Sequence, residues 1–267
     1  MPTYPTPDPV KIVVRIPTGR VEITTEDTKE TTVDVRPMNG RDGQGQKDVL
    51  VDYRPSQRGG QLMVVAERGH KSWFGKDVAY QVTIRTPHGA DVQGGSGSAD
   101  FRGVGRFGTL EVRTASGDVW FDNVAGRANV KSASGDLRLG STDGPATMTT
   151  TSGDAEIRSA HDTVNAALVS GALKVGEAGG DVKGRNVSGD LRIESFDRGR
   201  AELSTVSGDV QVGVLPGRRV WMDLVSRSGD TSCDLDVGDG EGSGAPDVRI
   251  EARSVSGDIR VRRAAAH

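Results

Sequence analysis

Ser134-Gly135-Asp136-Leu137-Arg138-Leu139-Gly140-Ser141-Thr142-Asp143-Gly144-Pro145-Ala146-Thr147-Met148-Thr149-Thr150-Thr151 runs straight into a second Ser-Gly-Asp at Ser152-Gly153-Asp154. That interval of 18 residues decides the fold. The same triplet stands at Ser116-Gly117-Asp118, Ser188-Gly189-Asp190, Ser207-Gly208-Asp209, Ser228-Gly229-Asp230 and Ser256-Gly257-Asp258. Ser170-Gly171-Ala172 is a degenerate copy, and Ser98-Ala99-Asp100 extends the series upstream. From Ser98 to Ser188 every step is 18 residues; the steps then lengthen to 19, 21 and 28. A short period held over many copies marks a repeat array in which each unit stacks on its neighbours.

Most triplets are followed by a short, mostly alternating run: Val119-Trp120-Phe121, Leu137-Arg138-Leu139, Ala155-Glu156-Ile157, Leu173-Lys174-Val175, Leu191-Arg192-Ile193, Val210-Gln211-Val212 and Ile259-Arg260-Val261. This is the period of a strand with one buried face. A second strand precedes most triplets, with its apolar positions six and four residues before the serine, as in Ala146/Met148, Val164/Ala166, Met222/Leu224 and Ile250/Ala252. Eighteen residues are too few for a propeller blade of about 40. They also leave no room for a helix beside two strands. They suit one coil of a β-solenoid. The expected fold is all-β, a single-stranded β-helix with coils of about 18 residues. Gly117, Gly135, Gly153, Gly189, Gly208, Gly229 and Gly257 read as corner residues, because a tight turn calls for positive φ. Asp118, Asp136, Asp154, Asp190, Asp209, Asp230 and Asp258 read as structural partners that cap each turn through backbone N–H groups. Arg138, Glu156, Lys174 and Arg192 fall at one place in successive coils and read as a solvated, charge-complementary face.

The rest of the chain is read outward from this array. Residues 1–9 are Pro-rich and read as a disordered or extended segment. Residues 10–97 are β-rich without the beat and read as irregular N-terminal coils that cap the solenoid. Within them, 69–76 read as a loop carrying His70, Trp73 and Phe74. Residues 98–263 are the regular repeats, with a Gly-rich acidic loop insertion at 238–246 accounting for the longest step. In-order stacking is assumed throughout.

Composition narrows the function. Apolar residues make up 34 %, aromatics 4 %, and 37 residues are Gly, which suits a thin solenoid core better than a large α/β one. Net charge is −3 with the two signs interspersed, so nothing points to nucleic acid or anionic lipid. No apolar stretch approaches a membrane span. The first residues lack the regions of a signal peptide. A cytoplasmic location is expected on this basis, with the cell surface left open. Cys233 is the sole cysteine and occupies an inward slot, so it is expected to be buried.

The corners Ser132-Ala133-Ser134-Gly135-Asp136, Thr205-Val206-Ser207-Gly208-Asp209 and Ser254-Val255-Ser256-Gly257-Asp258, together with the stretch Val82-Thr83-Ile84-Arg85-Thr86-Pro87-His88-Gly89-Ala90-Asp91-Val92, resemble the DUF4097 family of β-strand-repeat proteins, which carries the label "putative adhesin". The resemblance runs from Lys11 to Arg263. It implies a single-chain β-helix-like solenoid and supplies no catalytic residues.

No catalytic constellation stands out. Gly103-Val104-Gly105-Arg106-Phe107-Gly108 spells a dinucleotide fingerprint, but a strand rather than a helix follows it. His70, His88, His161 and His267 lack metal-ligand spacing. The aspartate column is read as structural rather than metal-binding. No cofactor is expected. The functional expectation is a non-enzymatic scaffold or interaction module that binds another protein or a second copy, with Trp120 and Trp221 as possible contact anchors. The alternatives are a carbohydrate-active β-helix enzyme and a surface adhesin that binds glycans.

Overall fold

The computed structural model describes residues 1–38, 49–56, 59–66, 78–235 and 245–264. Every regular element among them is a strand. The chain packs as two units, Met1–Asp136 and Leu137–His267.

The first unit holds β1 (Thr3–Pro5), β2 (Lys11–Glu26), β3 (Glu30–Pro37), β4 (Val49–Arg54), β5 (Gln61–Ala66), β6 (Tyr80–Pro87), β7 (Ala90–Ser116), β8 (Val119–Val124) and β9 (Ala128–Ser134). β2 is the parallel centre of this unit. Its first half lies between β5 and β7, pairing Ile12 with Leu62 and Val92. Its second half lies between β6 and β7, pairing Val21 with Val82 and Phe101. The coil formed by β5 and β6 therefore lies on the side of β2 away from β7, although it comes later in sequence. Antiparallel strands flank that coil: β4 pairs with β5, β3 with β6, and β1 with β3. Within residues 1–9, Thr3–Pro5 form β1, and Thr6 joins Thr31 and Thr86 in a buried hydroxyl chain at 2.7 and 3.0 Å. β7 then pairs in parallel with β8 and β9 at the 18-residue register, Phe101 with Val119 and Leu110 with Ala128. Gly103 sits beneath the Phe121 ring, where any Cβ would collide. The apparent dinucleotide fingerprint is therefore a packing device within a strand.

The second unit alternates strands before and after each corner: β10 (Leu137–Thr142), β11 (Ala146–Ser152), β12 (Ala155–Ala160), β13 (Val164–Ser170), β14 (Leu173–Ala178), β15 (Val182–Arg185), β16 (Leu191–Phe196), β17 (Gly199–Ser207), β18 (Val210–Val214), β19 (Val220–Ser228), β20 (Thr231–Asp234), β21 (Val248–Ser256) and β22 (Ile259–Arg263). All ladders are parallel. Leu137, Ala155, Leu173, Leu191 and Val210 form one buried row, with equivalent residues in register from coil to coil. Ala146, Val164, Val182 and Ala201 form the facing row. Each fully buried Val, Leu or Ile contributes roughly 1.5–3 kcal/mol. A thin core suffices because the row repeats. The β-helical solenoid expected from the repeat is the fold observed.

Stacking order departs from the sequence-based expectation. β21 pairs with β17 on one side and with β19 on the other. β22 likewise lies between β18 and β20. The last coil in sequence is therefore inserted between its two predecessors, and among the described residues the β19–β20 coil has a neighbour on one side only. The physical reason is apolar content. The inserted coil buries Val248, Ile250, Ala252, Ile259 and Val261, whereas the β19–β20 coil places Thr231 where the other coils place an aliphatic residue. The loop insertion expected at 238–246 falls largely on residues outside the described ones.

Candidate interaction surface

The Ser-Gly-Asp corner is a closed hydrogen-bond system. Its backbone N–H groups and carbonyls must all find partners, because a solenoid corner is partly buried by the coils it touches. The Gly N–H donates to the serine carbonyl of the next coil, as from Gly153 to Ser170 at 3.1 Å and from Gly189 to Ser207 at 2.8 Å. The following N–H finds no backbone acceptor there. It donates instead to the aspartate Oδ1 of the preceding coil: Asp118 to Asp100 (3.1 Å), Asp136 to Asp118 (2.9 Å), Ala172 to Asp154 (2.8 Å), Asp209 to Asp190 (2.9 Å), Asp258 to Asp209 (2.9 Å) and Asp230 to Asp258 (3.0 Å). Asp100, Asp118, Asp154, Asp190, Asp209 and Asp258 therefore each cap the neighbouring coil. Ala172 receives such a bond and has no carboxylate to pass one on.

A third element was not anticipated from the sequence. The inward residue two before the serine is polar in most copies, and in four of them it reaches the glycine carbonyl of the preceding coil. Asn186 Nδ2 donates to Gly171 O at 2.7 Å, Ser226 Oγ to Gly257 O at 2.8 Å, and Thr205 and Ser254 to Gly189 O and Gly208 O at 3.3 Å. A polar residue in an otherwise apolar row was the available signal. Leu168 is the exception, and it belongs to the coil with the degenerate triplet.

The corner glycines are required twice over. Gly135 has φ 140°, and a Cβ there would run into the Gly117 carbonyl oxygen. Gly117 itself lacks positive φ, yet a Cβ on it would meet the Ala99 carbonyl oxygen. Close coil-to-coil approach, as much as φ, selects glycine.

The outer surface is mostly self-satisfied. Lys174 bridges Glu156 and Glu194 at 3.6 and 3.3 Å, and Arg138 lies 3.9 Å from Glu156. A shallow groove is lined by Ser159, His161, Glu177, Ser195 and Asp197. Its polar groups pair locally: His161 with Asp143 at 3.1 Å, Ser159 with Glu177 at 3.2 Å, and Asp197 with Arg218. Burial works to raise the Asp197 pKa, but hydrogen bonds from Arg218 and Arg198 outweigh it and hold the carboxyl below its ordinary range. The inserted coil is tied in by Arg200, whose Nη2 donates to both Glu251 carboxylate oxygens at 2.8 Å. Arg219 further ties it through Asp247 at 3.2 Å. Among the described residues no group of three or more His, Cys, Asp or Glu is placed to hold a metal ion. His70, Trp73, Phe74 and His267 lie outside the described residues.

Trp120 belongs to the first unit and Trp221 to the second. Trp120 is half-buried under Arg102, whose Cζ lies 4.9 Å from the ring centroid. Trp221 is 43 % exposed, with Arg249 at 4.8 Å. Each arginine is the register partner of its tryptophan in the adjoining strand. Two further exposed features lie in the second unit. Val169, Val187, Val206 and Val255 form a column beside the corners, each 46–50 % exposed. The sequence carries this signal as the valine just before Ser-Gly. The other feature is the β19–β20 coil. Met222 and Leu224 are only half-buried, and Thr231 and Cys233 are exposed. The expectation of a buried Cys233 is therefore corrected: it lies in register with the inward Val261, but among the described residues no further coil covers it. Its Sγ lies 3.9 Å from Met222 Sδ.

Among the described residues, no helix is long and apolar enough to cross a membrane. The family description Toastrack DUF4097 matches residues 10–262. No curated protein matches the sequence. Among solved structures, the chain is similar to a putative adhesin from Bacteroides fragilis, at 14 % identity and TM-score 0.50, covering 97 % of this chain and 95 % of that one. It is also similar to a putative lipid binding protein from Parabacteroides distasonis, at 12 % identity and TM-score 0.44, covering 97 % and 96 %. At such identities the likeness concerns the fold. A match across nearly the whole length, on a repeat whose corners and ladders are all in place, identifies the chain as a member of the DUF4097 Toastrack family.

Proposed function

We propose that this protein is a non-enzymatic interaction module that binds other proteins through exposed apolar features of its second unit. The observation that carries this reading is the valine column. Four aliphatic side chains, each about half exposed, stand in register on adjacent coils, and among the described residues of the second unit none is buried by a neighbour. A regular apolar stripe framed by polar residues is the surface type associated with protein contacts. Ser159, His161, Glu177 and Asp197 of the shallow groove are each held by a local hydrogen-bond or ion-pair partner, which supports a binding role over a catalytic one.

The test compares capture by the immobilised full chain with capture by Val187→Asp/Val206→Asp. Both substitutions fall on half-exposed positions, so folding is expected to survive. The expected result is a protein retained by the wild-type chain and lost with the variant. Equal retention by both overturns the reading. So does retention of glycans alone on a glycan array, which favours the glycan-binding alternative.

A further inference from the structure

The β19–β20 coil ends a parallel ladder without a cap. Among the described residues, Val220–Ser228 pairs only with β21, and Thr231–Asp234 only with β22. No described strand pairs with their other edges, and such an edge templates pairing with another strand. Edge strands are commonly blunted by proline, bulges or dense charge. β19 reads Val-Trp-Met-Asp-Leu-Val-Ser-Arg-Ser, with no proline and two opposite charges. The inner side is also unfinished, since Met222, Leu224 and Cys233 expose apolar surface that further chain would bury.

Resting on the interaction reading above, we propose that this coil is the contact for a second copy of the same chain, joined about a two-fold axis by antiparallel pairing of β19 with its mate. The charge pattern selects this partner. Antiparallel pairing centred on Val225 sets Asp223 opposite Arg227 of the second copy, and Arg227 opposite its Asp223. The same register places Val225 against Val225 and Leu224 diagonal to Leu224 on the inner side. Arg227 is exposed and has no ion-pair partner among the described residues, and Asp223 is held only by Arg253 at 3.7 Å. Both groups are therefore available. A two-fold contact consumes the β19 edge of both copies at once, so this pairing closes at the dimer, which an open head-to-tail stack would not do.

The experiment is sedimentation of the full chain over a concentration series under reducing conditions, with Asp223→Arg, Arg227→Asp and the double exchange Asp223→Arg/Arg227→Asp. The wild type is expected to dimerise. Each single reversal is expected to weaken dimerisation by about tenfold or more, because like charges then oppose each other twice, and the double exchange should recover it. Alkylation of Cys233 should slow as the dimer forms. A chain that stays monomeric to about 100 μM, a weak-affinity limit, overturns the proposal, as does a dimer indifferent to both reversals. Circular dichroism on each variant separates lost pairing from lost folding. A monomer that still captures another protein through the valine column removes the second-copy proposal and leaves the interaction reading standing. A charge-dependent dimer whose capture of other proteins ignores the valine substitutions does the reverse.

Discussion

The β5–β6 coil of the first unit and the β19–β20 coil of the second are built alike and finished differently. In each unit the chain lays a coil outside another that is its neighbour in sequence. In the first unit, antiparallel β4 and β3 flank the outer coil, and Leu62, Val64, Val82 and Ile84 are all fully buried. In the second, the corresponding Met222 and Leu224 are half-buried and Cys233 is exposed. A parallel coil thus completes its core only when something lies on both of its sides. Antiparallel strands serve because they satisfy the edge and do not offer the corner that would let stacking continue.

The largest expected break in this comparison comes from truncation. Ending the chain after Asp247 removes β21 and β22, the sole ladder partners of β19 and β20. The lost burial of Val248, Ile250, Ile259 and Val261, at roughly 1.5–3 kcal/mol each, rivals a typical net stability of about 5–15 kcal/mol. Amide exchange should show complete loss of protection across 220–234. Removing residues 1–9 should leave β2 protected, since β5, β6 and β7 still flank it. Protection of β19 after the first truncation would contradict the stacking order.

Next come the corners. Gly135→Ala meets both a positive φ and the Gly117 carbonyl, so strain of about 1–3 kcal/mol adds to overpacking of about 1–3 kcal/mol. Gly95→Ala, where a Cβ would meet only Arg15 Cγ at 3.9 Å, should barely change the melting temperature. Equal shifts would remove the coil-approach argument. Single apolar truncations sharpen the contrast between covered and bare coils. Ile259→Ala should cost about 2–5 kcal/mol, and Leu224→Ala clearly less, as measured by urea denaturation of the dilute chain.

The smallest effect is electrostatic. The Arg219 side chain, and then its backbone amide, hold the Asp247 carboxyl below its ordinary range. A carboxyl whose folded pKa is depressed stabilises the fold above its unfolded pKa of about 3.9. That contribution fades as pH falls through the lower folded value. Asp247→Asn should therefore flatten the acid limb of the stability curve slightly and leave neutral stability nearly unchanged. A marked loss at pH 7 that is absent at pH 3 would fit a stronger pair than an exposed one can be.

Much of this was legible in the residues. The 18-residue beat sets the register of every ladder from Phe101/Val119 to Val175/Ile193, because stacked coils of equal length place equal positions side by side. The aspartates were recognised as hydrogen-bond partners, but their acceptor role runs to the next coil. A turn read alone cannot show that, because the unsatisfied amide appears only when two corners stack. The polar residue two before the serine, and the valine just before Ser-Gly, were present in the repeat and passed over. Their meaning depends on a neighbour 18 residues away. Trp120 reads as an outward residue and Trp221 as a contact anchor, but the arginine over each ring comes from the adjoining strand.

The sequence by itself determined the coil, its corner and the alternation that gives two thin apolar rows, because these are local matters of φ, side-chain size and a period of two. Only the tertiary structure decided the order of the last three coils. Coils with matching corners can stack on one another in any order, and local sequence preferences do not distinguish those orders. The choice falls to burial. The aliphatic set Val248, Ile250, Ala252, Ile259 and Val261 takes the position with neighbours on both sides. The coil carrying Thr231 and Cys233 is left bare on one side, because that position costs least for residues that lose least by meeting water.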